Sequence, residues 1–388
     1  MPLTAECRSV VILSVCQALF KISTITVVML GGLVGAALSG SLSLATLPIA
    51  ASIMGTAGAT LPASFLMKWF GRRNGFVLGA LLGAGGGGLS VYAIELESFW
   101  LFCAGNAVIG MYHAFAQYYR FAAVDVVSSG FRHQAISLVL GGGLVAALVG
   151  PGLAVSGMSL FGSESYIGAY LALIVLNLLT LSLLYGIRFP VPTLITQGSL
   201  TRPIKAIARQ SNFLVAVICG ITAYSVMNAT MVALPLVMTS QGNAADDTAL
   251  VMRWHMVAMF APSFVTGALM SRFGVPRVML AGTALMAGGA SFVISGTVLT
   301  DFVLALALMG IGWNFLYVGA TGLLTESHTP EEKAKVQGCN ELLVFASTAL
   351  SAMAVGPLLQ YLDWETLGYL MLVALLMAFL ALTWFIKK

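Results

Sequence analysis

Apolar residues occur along the chain in long runs that short polar or basic stretches separate. A helix needs about 20 apolar residues to cross the hydrocarbon core of a bilayer, where its backbone finds no hydrogen-bond partners outside the helix. Twelve runs are long enough, and they lie near residues 10–34, 43–67, 74–94, 99–122, 134–158, 166–188, 211–239, 249–271, 275–297, 301–325, 336–360 and 364–386. The pattern predicts an all-α membrane protein with twelve transmembrane helices.

The composition supports this prediction and excludes other classes of protein. Of the 388 residues, 59% are hydrophobic and only 8% are charged, whereas ordinary globular proteins have about 25% charged residues. The 18 basic and 14 acidic residues cannot cover the surface of a soluble fold of this size. We therefore exclude a soluble enzyme, a disordered chain and a protein module that binds nucleic acid.

Basic residues mark the connections between the predicted helices. The stretch from Arg188 to Gln210 contains three prolines and four basic residues. We interpret residues 189–210 as a cytoplasmic linker between an N-terminal six-helix bundle, 1–188, and a C-terminal six-helix bundle, 211–388. Fifteen of the eighteen basic residues lie in this linker, in the other even-numbered connections or at the termini. Since cytoplasmic loops carry an excess of Lys and Arg, both termini are predicted to be cytoplasmic.

The two halves repeat each other at an offset of 203 to 206 residues. The matches are Leu66, Phe70 and Gly71 with Leu269, Phe273 and Gly274, Val149-Gly150-Pro151 with Val355-Gly356-Pro357, and Cys16 with Cys219. Together these matches indicate two parallel six-helix repeats. The glycine run from Gly85 to Gly88 lies at the end of a hydrophobic segment, where small residues allow helices to pack closely in lipid.

The segment SFLMKWFGRR resembles the loop signature between the second and third helices of the major facilitator superfamily, and GALMSRFGVPR resembles its copy in the second half. The resemblance implies a major facilitator fold with two six-helix pseudo-repeats and a substrate site near the midplane, at the repeat interface. The first copy departs from the signature at Lys68 and Trp69. These departures put the usual gating salt bridge of the loop in question and argue against a proton–drug antiporter.

Methionines are concentrated after the linker, and four chemistry-bearing residues form two pairs there. Met227 and Met231 lie four residues apart on the seventh predicted helix, as do His255 and Met259 on the eighth. A spacing of four places both side chains of a pair on one helical face, and the two pairs lie at similar depths. Three thioethers and an imidazole suit Cu(I) better than Mg, Ca or Mn. Packing is the alternative interpretation, because Met commonly fills gaps between helices.

The order and spacing MxxxM and HxxxM resemble the CcoA-like copper importers of the major facilitator superfamily. The resemblance implies a monomeric, multi-pass copper importer of the bacterial cytoplasmic membrane that works by alternating access and supplies cbb-type haem–copper oxidases. Copper would be its cargo, without a permanently bound cofactor, and its partners would be the lipid bilayer and a cytoplasmic or membrane copper chaperone. Four further residues are candidates for a copper relay, namely Met238, Met252, Met256 and Cys219.

Two other functions stay open at this point. The first is an importer of an organic solute such as riboflavin, since riboflavin importers are thought to be among the close kin of the copper importers. The second is a membrane copper sensor or assembly factor that does not transport. An aromatic-lined cavity would favour the organic solute, and such a carrier should tolerate the loss of Met227 and Met231.

Four charged residues within or beside the predicted helices are candidates for coupling or gating. Lys21 lies in the middle of the first helix, Glu341 one turn into the eleventh, and Arg120 and Asp125 at the cytoplasmic end of the fourth. Charges inside a membrane are costly and commonly functional. The simpler interpretation for the last two residues is a local Arg120–Asp125 pair at the membrane interface.

Overall fold

The computed structural model describes residues 5–40, 44, 47–159, 166–187, 189, 202–242, 245–296, 298–361 and 363–388. Within these residues the regular elements are helices alone. They are α1 Ala5–Ser39, α2 Leu47–Glu95, α3 Phe99–Ala116, α4 Tyr119–Asp125, α5 Arg132–Ser159, α6 Ile167–Leu184, α7 Ile204–Ile207, α8 Ser211–Ser240, α9 Ala245–Phe260, α10 Ser263–Phe273, α11 Val275–Ser295, α12 Leu299–Glu326, α13 Lys333–Tyr361 and α14 Trp364–Lys387, with a 3-10 turn at Ser129–Phe131.

Eleven helical segments of the described chain are long and apolar enough to cross a membrane, and one of them accounts for two spans. This segment is α2, whose 49 residues contain a non-helical Gly71 with φ 83° and ψ 160°. At 1.5 Å per residue its length would be about 74 Å, more than twice the thickness of the hydrocarbon core. With α2 divided at Gly71, the described residues contain twelve apolar helical spans, as the sequence predicts.

The same backbone conformation recurs one repeat later. Gly274, 203 positions after Gly71, has φ 84° and ψ 146° and separates α10 from α11. A positive φ is easily reached only by a residue without a Cβ. In each copy of the loop signature, one helical segment ends and the next begins at a glycine.

Two other spans are built from two helices each. α3 and α4 form one span and are separated at Gln117 and Tyr118, while α9 and α10 form another and are separated at Ala261 and Pro262. A proline removes one backbone donor from a helix. Asn314 of α12 bonds to both sides of this second break, since its Nδ2 donates to Met259 O at 2.7 Å and to Ser263 Oγ at 2.6 Å.

The chain forms two compact units, each of which takes a short segment from the other half of the sequence. Unit 1 comprises residues 1–129, 145–198 and 337–342. Unit 2 comprises 130–144, 199–336 and 343–388. The boundaries expected from the sequence, at 188, 189–210 and 211, stay a prediction.

Glycines allow the helices inside each unit to pack closely. In unit 1, a Cβ added to Gly86 would lie 2.7 Å from Ile109 N and 2.9 Å from Gly105 O. In unit 2, a Cβ added to Gly289 would lie 2.7 Å from Ala305 O. Gly86 and Gly289 are 203 residues apart, so equivalent positions of the two repeats allow the same kind of close helix packing.

Candidate functional site

A buried ion pair connects α4 and α13 within unit 1. Arg120 Nη2 donates to Glu341 Oε1 at 2.5 Å, and the two side chains are 2% and 0% exposed. The same carboxylate oxygen accepts a hydrogen bond from Asn340 Nδ2 at 2.8 Å. Gln117 Oε1 accepts from Arg120 Nη1 at 3.4 Å. Two of the four residues predicted for coupling or gating are therefore in direct contact.

The expected local pair between Arg120 and Asp125 is wrong. Asp125 instead accepts from Arg72 Nε at 3.2 Å, and Arg72 also donates to Gln337 Oε1 at 2.9 Å. Five residues along a helix correspond to a rotation of about 140°, so Arg120 and Asp125 lie on different faces of α4. Arg72 belongs to the first copy of the loop signature, so that copy makes a salt bridge despite its departures at Lys68 and Trp69.

Lys21, the fourth of these charged residues and also in unit 1, lies among aromatic side chains. Its Nζ is 4.6 Å from the centroid of the Phe20 ring. Phe20 in turn contacts His113, with ring centroids 5.3 Å apart. His113 Nε2 lies 3.4 Å from Ser23 Oγ. Phe20, Ser23 and His113 are buried, whereas Lys21 is partly exposed.

The residues predicted to bind copper lie in unit 2, where α12 contacts the histidine. His255 is fully buried, and its Nδ1 lies 2.7 Å from Leu306 O of α12. A carbonyl oxygen only accepts, so Nδ1 carries the proton and Nε2 the lone pair. Within the described part of the chain, Nε2 has no hydrogen-bond partner. A Cβ added to Gly310 would lie 2.9 Å from both His255 O and Met259 N, so this segment of α9 packs closely on α12.

The methionines of this region have mixed surroundings. Met227 and Met259 are each 5% exposed, and Met231 is partly exposed. Of the four candidates for a relay, Met238 and Cys219 are fully buried, whereas Met252 and Met256 are partly exposed. The described residues contain no group of three or more His, Cys, Asp or Glu side chains that could hold a metal ion. Whether the Met and His residues bind a ligand stays a prediction.

Sequence reasoning missed a cluster of aromatic rings in unit 2. The cluster consists of Tyr224 of α8, Phe260 of α9, Trp313 and Tyr317 of α12, and Phe345 of α13. Trp313 and Tyr317 are stacked, with centroids 5.2 Å apart and an interplanar angle of 20°. Tyr224 contacts Tyr317, Phe345 and Trp313 at 4.7, 5.3 and 5.5 Å, and Phe260 lies 5.9 Å from Trp313. The spacing of four between Trp313 and Tyr317 was the available signal, because it places both rings on one helical face.

The aromatic cluster also contains a buried polar atom. Trp313 is 1% exposed, and its Nε1 has no hydrogen-bond partner among the described residues. An indole N–H can only donate, and a buried donor without an acceptor costs free energy. The indole N–H of Trp313 is therefore a buried donor whose acceptor is not among the described residues.

Comparison with known proteins identifies relatives over nearly the whole chain. The sequence model of the Major Facilitator Superfamily matches residues 216–388. The riboflavin transporter RfnT of Brucella anthropi is 41% identical over 371 residues, which cover 95% of this chain and 93% of the relative. The uncharacterized MFS-type transporter YddS of Bacillus subtilis is 29% identical, over 92% of this chain and 86% of its own.

Solved structures share the fold at low sequence identity. The E. coli fucose:proton symporter FucP has a TM-score of 0.75 at 16% identity, covering 98% of this chain and 99% of its own. The human organic anion transporter MFSD10 has a TM-score of 0.78 at 14% identity, covering 98% and 100%. These likenesses confirm the all-α major facilitator fold that the sequence predicts.

The prediction of a CcoA-like copper importer is wrong. The relative that matches 95% of the chain at 41% identity is a riboflavin transporter, so the four-residue resemblance does not decide the family branch. Copper as cargo, a copper chaperone as partner, and a role in oxidase assembly or copper sensing lose their basis with it. The physical reason is that Met at a spacing of four also arises from packing between membrane helices.

Proposed function

The chain belongs to the major facilitator superfamily, and from this premise we propose that it imports riboflavin across the bacterial cytoplasmic membrane. The observation that carries the proposal is the 41% identity to a riboflavin transporter over 95% of the chain. This function is the organic-solute alternative that the sequence leaves open.

The aromatic cluster of unit 2 supports a flavin as the substrate. Riboflavin carries a planar isoalloxazine ring system, and aromatic rings interact favourably at centroid distances of 4.5 to 7 Å. The five rings of the cluster already make contacts of this kind with one another. Trp313 and Tyr317 are 1% and 2% exposed in this structure, so in this proposal the cluster opens to the flavin during the transport cycle, and an acceptor of the flavin then receives the hydrogen of Trp313 Nε1.

The ion pairs of unit 1 are proposed to act in gating, not in binding. Arg120–Glu341 connects α4 to α13, and Arg72 connects the loop signature to both Asp125 and Gln337. Transporters of this superfamily work by alternating access, which requires contacts that break and form again. Charge pairs between helices meet this requirement, because they stabilise the arrangement in which they form and separate when the helices move apart.

The proposal is tested by uptake of radiolabelled riboflavin in a bacterial strain that cannot make riboflavin and lacks its own importer. Wild-type chain should restore growth at low external riboflavin and should accumulate label. Trp313→Leu should reduce uptake at least tenfold, while Trp313→Phe should retain more of it, because Phe keeps an aromatic face. Absence of uptake by a wild-type protein that is present in the membrane would refute the proposal.

Met231→Leu is the matched control. Leu and Met are similar in volume, and such exchanges in cores usually cost less than about 1.5 kcal/mol. We expect uptake within about twofold of wild type. An equally large loss for Met231→Leu and Trp313→Leu would contradict the assignment of binding to the aromatic cluster. Purified wild type should also quench riboflavin fluorescence on binding, which separates binding from transport.

A further inference from the structure

His255 has one ring nitrogen that is bonded and one that has no partner. Its side chain is 0% exposed, and Nδ1 lies 2.7 Å from Leu306 O. The ion pairs of the described residues include none with His255. A buried charge without a partner is costly, so the imidazole is neutral. Because Nδ1 donates to the carbonyl, Nε2 can only accept, and no described residue donates to it.

Trp313 has the complementary unpaired group in the same unit. Its Nε1 is a buried donor that has no acceptor among the described residues. Both residues lie where α9 packs on α12, since α9 carries His255 and Phe260, and the Phe260 ring lies 5.9 Å from that of Trp313. Leu306, which holds the histidine, precedes Trp313 by seven residues. The two unpaired groups are therefore held at points about 10 Å apart along α12.

An acceptor and a donor left unpaired at one helix interface indicate a ligand that binds both. Buried polar groups almost always have hydrogen-bond partners, because leaving them unpaired costs free energy. A ligand that pairs with both groups needs an aromatic part with an acceptor at the aromatic cluster, and a hydrogen-bond donor about two helical turns away. Riboflavin has both parts, since its planar ring system carries carbonyl oxygens and its ribityl chain carries hydroxyl groups.

We propose that His255 Nε2 accepts a hydrogen bond from a hydroxyl group of the ribityl chain while the flavin ring lies at the aromatic cluster. This inference rests on the proposed function and makes His255 a residue that selects flavins with a hydroxylated chain. The hydrogen bond to Leu306 O fixes the tautomer, so Nε2 stays an acceptor. A flavin without hydroxyl groups at this position leaves the nitrogen unpaired and gains nothing from His255.

His255 and Trp313 are both covered in this structure, so a flavin reaches them only when α9 moves away from α12. The chain has a place for such a movement, because α9 ends at Phe260 and α10 begins at Ser263. Pro262 lies between them and removes one backbone donor. Alternating access includes movements of this kind. In this proposal the hydrogen bonds to the flavin stabilise the arrangement in which α9 and α12 are apart.

The experiment measures equilibrium binding of riboflavin and lumiflavin to purified protein by fluorescence. Lumiflavin has the same ring system with a methyl group in place of the ribityl chain. His255→Asn keeps an amide nitrogen near the position of Nδ1, which donates to Leu306 O, but has no atom at the position of Nε2. His255→Gln places an acceptor oxygen near the position of Nε2. His328→Asn is the matched control, because His328 Nδ1 also lies near a backbone carbonyl, at 3.1 Å from Thr329 O.

Wild type should bind riboflavin about fivefold more tightly than lumiflavin, the effect of one neutral hydrogen bond. His255→Asn should raise Kd for riboflavin about fivefold and leave Kd for lumiflavin within about twofold. His255→Gln should keep part of the preference for riboflavin, and His328→Asn should bind both flavins as wild type does. Thermal unfolding of each variant reports whether the fold is retained.

Several results would overturn the inference and leave the proposed function intact. Equal affinity of wild type for the two flavins would do so without any variant. An unchanged Kd for riboflavin in a folded His255→Asn would do so as well. Equal losses for both flavins in that variant would assign His255 to the flavin ring or to helix packing, and not to the ribityl chain. No flavin binding by wild type would refute both proposals.

Discussion

Arg120 and Glu341 show how a buried charge pair behaves at the scale of single residues. The two side chains are almost completely covered, and their atoms approach to 2.5 Å. Removing two charges from water is costly, so such a pair is weak evidence for stability by itself. Removing only one partner leaves a buried charge without compensation, which commonly costs about 3 to 5 kcal/mol.

Glu341→Gln should therefore lower the thermal stability of the purified protein strongly. Gln can still accept one hydrogen bond, but it cannot neutralise Arg120. The double variant Arg120→Met/Glu341→Gln should recover much of the loss, because the uncompensated cation is gone. Differential scanning fluorimetry of the two single variants and the double variant measures the coupling. Additive effects would show that the two residues do not interact in solution. Glu365→Gln, exposed in the first turn of α14, is the control.

At the scale of helices, glycines decide how closely neighbours approach. Gly85 and Gly86 are adjacent in α2, yet their surroundings differ. A Cβ at Gly86 would lie 2.7 Å from a backbone atom of α3, whereas a Cβ at Gly85 would meet nothing within 4 Å. Only one of the two positions therefore requires a residue without a side chain.

Gly86→Ala should destabilise the protein and Gly85→Ala should not. Overpacking costs about 1 to 3 kcal/mol, while Ala in an open helical position gains up to about 1 kcal/mol over Gly. Thermal unfolding in detergent compares the two variants directly. Similar losses for both would mean that α2 and α3 do not approach as closely as the structure shows.

The end of the linker is joined to the connection between α12 and α13. Arg202 Nη2 donates to Glu332 Oε2 at 2.5 Å, and Arg202 Nε and N donate to Oε1 at 2.8 and 3.0 Å. Lys335 also donates to the carbonyl of Arg202. Hydrogen bonds from Arg202 lower the pKa of Glu332 from its usual 4.5 to about 2, although burial opposes the shift.

The lowered pKa predicts how acid affects this contact. A depressed carboxyl pKa contributes stability above the unfolded value, near 4.5, and that contribution is lost as pH falls towards 2. The melting temperature of wild type should therefore fall more between pH 5 and pH 2 than that of Glu332→Gln. Glu365→Gln should follow wild type. Parallel curves for wild type and Glu332→Gln would mean that the pair with Arg202 is absent in solution.

At the scale of the whole molecule, the asymmetry of basic residues predicts the orientation in the membrane. Both termini and the linker 189–210 should be cytoplasmic, because most Lys and Arg residues lie on that side. Reporter fusions at residue 205 and residue 388 should be active only as cytoplasmic reporters. A fusion at Asp246 should be active only outside. Cytoplasmic activity of the fusion at Asp246 would contradict this topology.

The prediction of function shows the limits of short motifs. Met227, Met231, His255 and Met259 have the order and spacing of a copper site, yet the relative over most of the chain is a riboflavin transporter. The spacing along one helix determines which side chains share a face, but it does not determine which residues of other helices that face contacts. In the structure, His255 Nδ1 forms a hydrogen bond with Leu306 O of α12. The prediction of a copper site considered only the two helices that carry the Met and His pairs, and α12 is not one of them.

Several properties follow from the sequence by itself because they depend on local chemistry. Run length and composition determine the number of spans, since lipid accepts only apolar segments with satisfied backbones. The offset of 203 residues identifies the repeated glycines, which adopt the same positive φ in both halves. The place of Lys21 in the middle of a span is evident from the sequence in the same way.

Other properties depend on contacts between distant parts of the chain, and only the tertiary structure decided them. Arg120 and Glu341 are 221 positions apart, and the five aromatic rings of unit 2 come from four helices. Helical periodicity restricts which residues share a face, but it does not determine which helix becomes the neighbour. Packing between helices selects among many faces of similar hydrophobicity, so the partner of each buried charge or ring depends on the complete fold.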